Sequence, residues 1–154
     1  MERSFVSPYL SRTTKEAIVG KKIMSNAKKN GFNTVIIQAR PFADSMYPSN
    51  IYPQSSFING TYGLYAEYDP FEILVYEAHS AGLAVHGWIN PLRAMTESEI
   101  ISVEDKYAIK QFYNDPSKNG TYTINVGGRL YLNPAYEEVR NLIIDGAREL
   151  MEHY

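Results

Sequence analysis

The sequence predicts an α/β protein in which helices cover a sheet of parallel strands. Two stretches have the length and the apolar, β-branched composition of buried strands: Thr34 to Arg40 (TVIIQAR) and Leu83 to Asn90 (LAVHGWIN). A helical pattern with its own start and stop signals precedes each stretch. This alternation is typical of a parallel sheet with right-handed helical connections.

The first helix is predicted over roughly residues 14 to 29. Thr13 and Glu16 have the spacing of a capping box, and Asn30-Gly31 is a C-terminal stop. One face of this helix is expected to be buried, and it carries Ala17, Gly20, Ile23, Met24 and Ala27.

The segment from 41 to 68 follows neither a helical nor a strand period and is rich in Pro, Ser, Asn, Gly and Tyr. Connections longer than ~12 to 15 residues are uncommon inside a compact domain, so we expect an ordered, functional loop. Asp69 then predicts the cap of a second helix, with Pro70 at its first position and Gly82 as its stop. Its buried stripe is predicted to be Phe71, Leu74, Val75 and Ala78.

After Arg93 the alternation becomes looser. Thr96 and Glu99 predict another capping box, and residues 97 to 113 predict one or two helices with a break around Ser102-Val103. The segments TYTINV and RLYLN flank Gly127-Gly128 and therefore predict a β-hairpin.

The final helix is predicted to begin at Pro134, with Asn133 as its cap. Its apolar stripe runs from Val139 to Leu150. A helix with such a face is usually followed by another strand in βα units.

Composition excludes several classes of function. The 154 residues carry a formal net charge of −2 without a basic run, so neither nucleic acid nor an anionic membrane is an expected partner. The absence of cysteine excludes disulfides and thiolate sites, and three separate histidines do not predict a metal site. No Gly-rich phosphate loop follows a predicted strand, so no cofactor is expected. The sequence contains neither an apolar run of ~20 residues nor a signal-peptide pattern at its start.

Polar and aromatic side chains gather where the two predicted strands end, which is the side on which parallel α/β proteins bind ligands. Because side chains alternate along a strand, His86, Trp88 and Asn90 share one face. The candidates at this rim are Gln38, Arg40, Asp44, Trp88, Asn90, Arg93, Tyr131 and Asn133. An alternative stays open, in which Arg40 and Asp44 form a structural ion pair and the asparagines are only caps.

Three ordered stretches carry a resemblance to a known family: NTVIIQARPFADSMYPS (33–49), YDPFEILVYEAHSAGLAVHGWINPLRA (68–94) and RLYLNPAYEEVRNLI (129–143). They resemble the glycosyl hydrolase-like family 10 catalytic domain, over roughly residues 30 to 154. The resemblance implies a (β/α)8 TIM-type barrel that acts on polysaccharide of the bacterial envelope, outside the cytoplasm, with peptidoglycan glycan strands as the expected substrate. The motif positions that match the family imply a set of residues in or near the sugar cleft: Arg40, Asp44, Tyr47, His86, Trp88, Asn90, Arg93 and Asn133.

A whole barrel needs roughly 250 residues, so we expect residues 1–154 to be one truncated domain, the N-terminal half of a barrel. The family's first strand would correspond to Ser4 to Leu10. In the family, the best catalytic candidates are a pair of aspartates that follows the helix matching residues 135–154. These aspartates have no counterpart in this sequence, so Asp44 is the only catalytic candidate at the rim.

Three expectations follow from a half barrel. The chain alone should lack glycosidase activity, it should self-associate through an open sheet edge, and the stripe from Val139 to Leu150 should be bare. Two other functions stay open. One is a non-catalytic carbohydrate-binding or interaction module that uses the Tyr-rich loop, and the other is a fragment without a role of its own.

Overall fold

The computed structural model describes residues 15–154. The strand predicted at Ser4 to Leu10 and the cap predicted at Thr13 lie outside these residues. In chain order the elements are α1 (Lys15–Lys29), β1 (Thr34–Arg40), α2 (Ser56–Asn59), α3 (Pro70–Ser80), β2 (Ala84–Ile89), β3 (Arg93–Thr96), α4 (Glu97–Ile100), α5 (Ala108–Asn114), β4 (Thr123–Val126), β5 (Arg129–Leu132) and α6 (Glu137–His153).

The described residues form two compact units, and the division between them runs through both β1 and β2. The first unit contains the described residues up to Ile37 together with Glu67–Gly87. The second contains Gln38–Ala66 and Trp88–Tyr154. Each unit has a hydrophobic core of its own.

Strands β1 and β2 are neighbours in a two-stranded sheet. The backbone N–H of Ala84 donates to the carbonyl of Asn33 over 2.8 Å, and the N–H of Asn90 donates to the carbonyl of Arg40 over 2.9 Å. Both bonds join residues near the same ends of the strands, so the pair is parallel. The predicted mixed α/β class and the parallel pairing of these strands are confirmed.

The first unit packs α1 against α3 around Met24, Ala78 and Leu83. The Asp69 carboxylate accepts hydrogen bonds from the N–H groups of Phe71 and Glu72 at 2.9 and 3.0 Å, which confirms the predicted cap. Two details of the predicted faces differ. Ile23 lines an open groove between the helices and is 53% exposed. On α3, Ile73 is buried, whereas the predicted Leu74 is half-buried.

The second unit contains an antiparallel sheet in the order β3-β5-β4. The predicted hairpin is confirmed, and Gly127 and Gly128 make its turn with φ values of 61° and 84°, which only glycine adopts without strain. The capping box at Thr96 and the break between two helices are also present. Strand β3 was not predicted, because its four residues, RAMT, are too few to establish an alternating pattern.

Helix α6 corrects two expectations. It begins at Glu137 rather than at Pro134, and its N-cap residue, Tyr136, makes no side-chain cap bond. The Asn133 side chain instead accepts a 3.1 Å bond from the N–H of Ala135, so it stabilises a turn that precedes the helix. The apolar stripe is not bare either, since Val139, Leu142 and Gly146 are buried in the second unit.

The long connection after β1 is ordered, as the sequence predicts. A parallel bridge joins Ser45 to Gln54, and the side chains of Tyr47, Tyr52 and Tyr62 are at most 5% exposed. These tyrosines therefore fill the interior of the second unit, whereas Tyr65 of the same loop is 42% exposed. Among residues 15–154, no helix has both the length and the apolar character needed to cross a membrane.

Candidate functional site

The rim at the carboxyl ends of β1 and β2 is organised by Asn90. Its side-chain oxygen accepts a 3.0 Å hydrogen bond from the indole nitrogen of Trp88, and its amide nitrogen donates to the carbonyl of Pro41 over 3.1 Å. Trp88 is 52% exposed. Since the indole is held by its nitrogen while much of its surface meets solvent, it offers a fixed, flat, apolar face to a ligand.

Arg40, the last residue of β1, is buried, with an exposed fraction of 3%. Its guanidinium carbon lies 4.6 Å from the centre of the Tyr52 ring, a cation–π contact. The Nε and Nη2 atoms have no hydrogen-bond partner among the described residues. A Cβ atom at Gly146 would collide with Arg40 and Tyr52, so α6 lies directly against this side chain.

Asp44 lies four residues after Arg40 and is fully buried. One carboxylate oxygen accepts a 2.7 Å hydrogen bond from the N–H of Phe42, and no ion pair joins Asp44 to Arg40 in this part of the chain. Burial raises the pKa of Asp44 from 3.8 to about 6, although the nearby Ser55 hydroxyl and the Phe42 N–H lower it. A carboxyl with this pKa exchanges protons near neutral pH, as general acid–base catalysis requires.

The backbone next to Asp44 is strained. Ala43 has a φ of 54°, and no other non-glycine residue among those described has a positive φ. A left-handed alanine costs of order 1 to 3 kcal/mol, and such residues cluster at functional sites. Ala43 lies between Phe42, whose N–H donates, and Asp44, whose carboxylate accepts.

A second buried carboxylate, Glu149 of α6, is not predicted by the sequence pattern. It accepts a 2.5 Å hydrogen bond from the Ser49 hydroxyl and a 2.9 Å bond from the N–H of Asn50. Glu149 lies three residues after Gly146 on the apolar stripe of the helix, and a carboxylate at such a position indicates a buried, hydrogen-bonded group. Glu149 therefore holds the loop after β1 against α6.

Tyr47 is fully buried beside this contact. Its ring makes an edge contact with Tyr154 at a centroid distance of 5.7 Å. Burial raises the pKa of the Tyr47 hydroxyl well above its ordinary value, so this residue stays protonated at physiological pH.

Arg93 and Tyr131 face each other across β3 and β5. Arg93 is exposed, and its guanidinium carbon lies 4.8 Å from the centre of the Phe42 ring. Arg129 lies over the same ring at 4.4 Å. Phe42 and Arg129 were not among the predicted site residues, because nothing in their local sequence indicates that they meet.

The other predicted candidates are not part of this set of side-chain contacts among residues 15–154. Gln38 is half-buried on β1 in the second unit, and His86 is exposed on β2 in the first unit. The Asn133 amide donates to the carbonyl of Thr121 over 3.0 Å and so braces the hairpin. The structure thus connects Arg40, Asp44, Trp88, Asn90, Arg93 and Tyr131 through short contacts within the second unit. Among residues 15–154, no three His, Asp or Glu side chains are grouped as metal ligands would be.

Comparison with known proteins adds a family match. The family model described as glycosyl hydrolase-like 10 matches residues 9–154. The glycosyl hydrolase YngK of Bacillus subtilis (strain 168) is 31% identical over 134 residues, which cover 86% of this chain and 25% of that protein. The glycosyl hydrolase DigH of Escherichia coli (strain K12) is 28% identical over 153 residues, which cover 94% of this chain and 33% of DigH. The chain therefore spans a quarter to a third of the length of these relatives.

Proposed function

The chain belongs to the glycosyl hydrolase-like 10 family, and we propose that it is the sugar-binding half of a (β/α)8 barrel that hydrolyses O-glycosyl bonds of a bacterial envelope polysaccharide. Family membership implies a glycoside hydrolase-like domain with a carbohydrate partner. The barrel is supported by the parallel pairing of β1 with β2 and by the helices that precede both strands.

The observation that carries this proposal is the Trp88 indole, which is exposed at the carboxyl end of β2 and fixed by Asn90. Barrel enzymes bind their substrates at this end of the strands. A flat apolar ring with a polar tip suits the flat face of a sugar. Each polar atom of the Asn90 side chain makes one hydrogen bond, so this residue positions Trp88 and can still donate one bond to a sugar and accept another.

The proposed substrate is the glycan strand of peptidoglycan, which places the protein outside the cytoplasm. The motifs in residues 33–49, 68–94 and 129–143 support this assignment through their resemblance to the family. The bacterial glycosyl hydrolases that match the chain are consistent with it.

Asp44 is the one carboxyl among the rim residues, and its pKa of about 6 suits a group that protonates a leaving oxygen. Glycoside hydrolysis usually needs a second carboxyl group, ~5 to 9.5 Å away depending on the stereochemistry. We assign that group to sequence outside these 154 residues. On this proposal the isolated chain binds glycan without cleaving it.

Calorimetric titration of the chain with purified glycan-strand oligosaccharides tests the proposal. Trp88→Ala should weaken binding about tenfold, as the loss of a central aromatic contact typically does. Phe32→Ala is the matched control, because Phe32 is a 61% exposed aromatic residue that belongs to the first unit, whereas Trp88 belongs to the second. Equal affinities of the parent chain and Trp88→Ala, with unchanged thermal unfolding, would refute the assignment.

A further inference from the structure

Phe57 is an exposed aromatic residue in the long loop that follows β1. It belongs to α2, the four-residue helix of this loop, and 69% of its surface is exposed. A phenylalanine stabilises a protein mainly through the apolar surface that it buries. Because Phe57 buries little of its surface, the stability of the loop does not explain why a large aromatic side chain occupies this position.

The backbone on both sides of Phe57 is nevertheless fixed. The buried Ser55 caps α2, and its hydroxyl accepts a 3.4 Å hydrogen bond from the N–H of Phe57. The N–H of Ser55 donates to the carbonyl of Ser45 over 2.8 Å, which ties the helix to the first part of the loop. At the other end, the N–H of Gly60 donates to the carbonyl of Ser56 over 2.7 Å. The loop therefore holds the exposed ring in a defined place.

Phe57 contacts the rim through Phe42, and the centroids of the two rings lie 6.0 Å apart. Phe42 is half-buried, and the guanidinium carbons of Arg93 and Arg129 lie 4.8 and 4.4 Å from its centroid. Since these two side chains cover the ring of Phe42, Phe57 is the member of the aromatic pair that can stack on a ligand.

A short series of contacts within the second unit joins Phe57 to Trp88. The Trp88 indole donates to Asn90 over 3.0 Å, and Asn90 donates to the carbonyl of Pro41 over 3.1 Å. Pro41 is followed directly by Phe42, whose ring contacts Phe57. The two exposed rings therefore lie on the segments that follow the carboxyl ends of β1 and β2, where barrel enzymes bind their substrates.

We propose that Phe57 is a second stacking platform for the glycan that binds at Trp88, so that the protein binds long oligosaccharides more tightly than short ones. The inference rests on the proposed sugar-binding function and specifies the length of ligand that the site takes. The groups that join the two rings also separate them, so one sugar residue covers Trp88 and a later residue of the same chain covers Phe57. The second contact adds affinity without a second loss of translational freedom, because the ligand is already held.

Calorimetric titration of the full chain with three peptidoglycan glycan-strand ligands, a disaccharide, a tetrasaccharide and an octasaccharide, tests this dependence on length. We expect the parent chain to bind the octasaccharide at least about tenfold more tightly than the disaccharide. Phe57→Ala should lower the affinity for the octasaccharide about tenfold and leave the affinity for the disaccharide unchanged. Trp88→Ala should weaken the binding of all three ligands.

Two further variants distinguish stacking from a general apolar contact. Phe57→Tyr keeps a flat ring and should retain the parent's affinity for the octasaccharide, whereas Phe57→Leu keeps an apolar side chain without a flat face and should lose it. Phe32→Ala, which removes a 61% exposed ring from the first unit, is the matched control and should leave all three affinities unchanged. Thermal unfolding of Phe57→Ala should match that of the parent chain, since an exposed side chain is removed.

Equal affinities of the parent chain and Phe57→Ala for the octasaccharide would overturn the inference and leave the sugar-binding proposal standing. A loss in Phe57→Ala that is as large for the disaccharide as for the octasaccharide would also overturn it, because Phe57 would then contact the same sugar residues as Trp88. Failure of the parent chain to bind any of the three ligands would overturn the proposed function and this inference together.

Discussion

Trp88 and Asn90 lie two residues apart on the same face of the chain, and the indole nitrogen of Trp88 donates a 3.0 Å hydrogen bond to the Asn90 side chain. Asn90 also donates to the carbonyl of Pro41, beyond the end of the neighbouring strand. A single amide thus fixes the exposed ring and joins the loops that follow β1 and β2.

Asn90→Ala should therefore weaken glycan binding indirectly, through the mobility of Trp88. We expect the variant to lose about 1 to 2 kcal/mol of unfolding free energy, since two hydrogen bonds are removed. The fluorescence anisotropy of Trp88, the chain's single tryptophan, should fall. Asn114→Ala, which removes an exposed amide bonded to Asp105, is the control. Unchanged anisotropy would show that Asn90 does not hold the ring.

Gly146→Ala should destabilise the protein by about 1 to 3 kcal/mol, because the added methyl group would collide with Arg40 and Tyr52. In an exposed helix the same change is stabilising by up to about 1 kcal/mol. Asn141→Ala, on the exposed face of α6, is the control, because it also raises helix propensity but adds no methyl group against Arg40. Chemical denaturation measures both variants, and a stabilised Gly146→Ala would contradict the contact between α6 and Arg40.

The stability of the protein should depend on pH through Asp44. Its pKa is about 6 in the folded protein and 3.8 without burial, so between these values the folded state binds more protons than the unfolded state. The contribution of Asp44 to stability is therefore greatest below about pH 4, falls by about 3 kcal/mol as pH rises to about 6, and does not change above that pH.

Asp44→Asn should remove this fall and should make the protein more stable than the parent at pH 7. Denaturation curves collected from pH 4 to pH 7 measure the effect. Asp145→Asn, at an exposed carboxyl on α6, should keep the parent's pH dependence. If Asp44→Asn also kept the fall in stability between pH 4 and pH 6, a group other than Asp44 would be responsible for that fall.

The chain should self-associate at micromolar concentration. In the part of the chain that the structure describes, β1 and β2 form a sheet of only two strands, and Ile36 in the middle of β1 is 70% exposed. Unpaired strand edges and exposed apolar side chains both favour association.

Light scattering measures this association. Ile36→Lys should shift the protein towards the monomer, whereas Ile144→Lys, at a 52% exposed position on α6, should have less effect. A monomeric parent chain would contradict the prediction.

Most of the helices and strands could be predicted because their signals are local. The alternating residues of Thr34 to Arg40, the carboxylate of Asp69 before Pro70 and the two glycines of the hairpin each determine structure within a few positions. The predicted start of α6 is wrong because Asn133 and Pro134 fit a turn as well as a helix start. Neither residue indicates that the helix begins a few positions after that turn.

The site was predicted only in part, because its contacts join positions that are distant in the sequence. The rim position of Trp88 and Asn90 follows from strand alternation. The packing of Gly146 against Arg40 and the meeting of Arg93 with Arg129 on Phe42 depend on how whole segments fold together. No local pattern indicates such contacts, and the raised pKa of Asp44 follows from the burial they create.

The fluorescence of Trp88 tests the central claim most directly, because no other tryptophan contributes to the signal. Titration of the chain with peptidoglycan glycan-strand oligosaccharides should give a saturable change in emission, since a sugar stacked on the exposed indole removes water from it. Phe32→Ala should show the same titration. Emission that stays constant while calorimetry records binding would place the sugar elsewhere and contradict a glycan site built around Trp88.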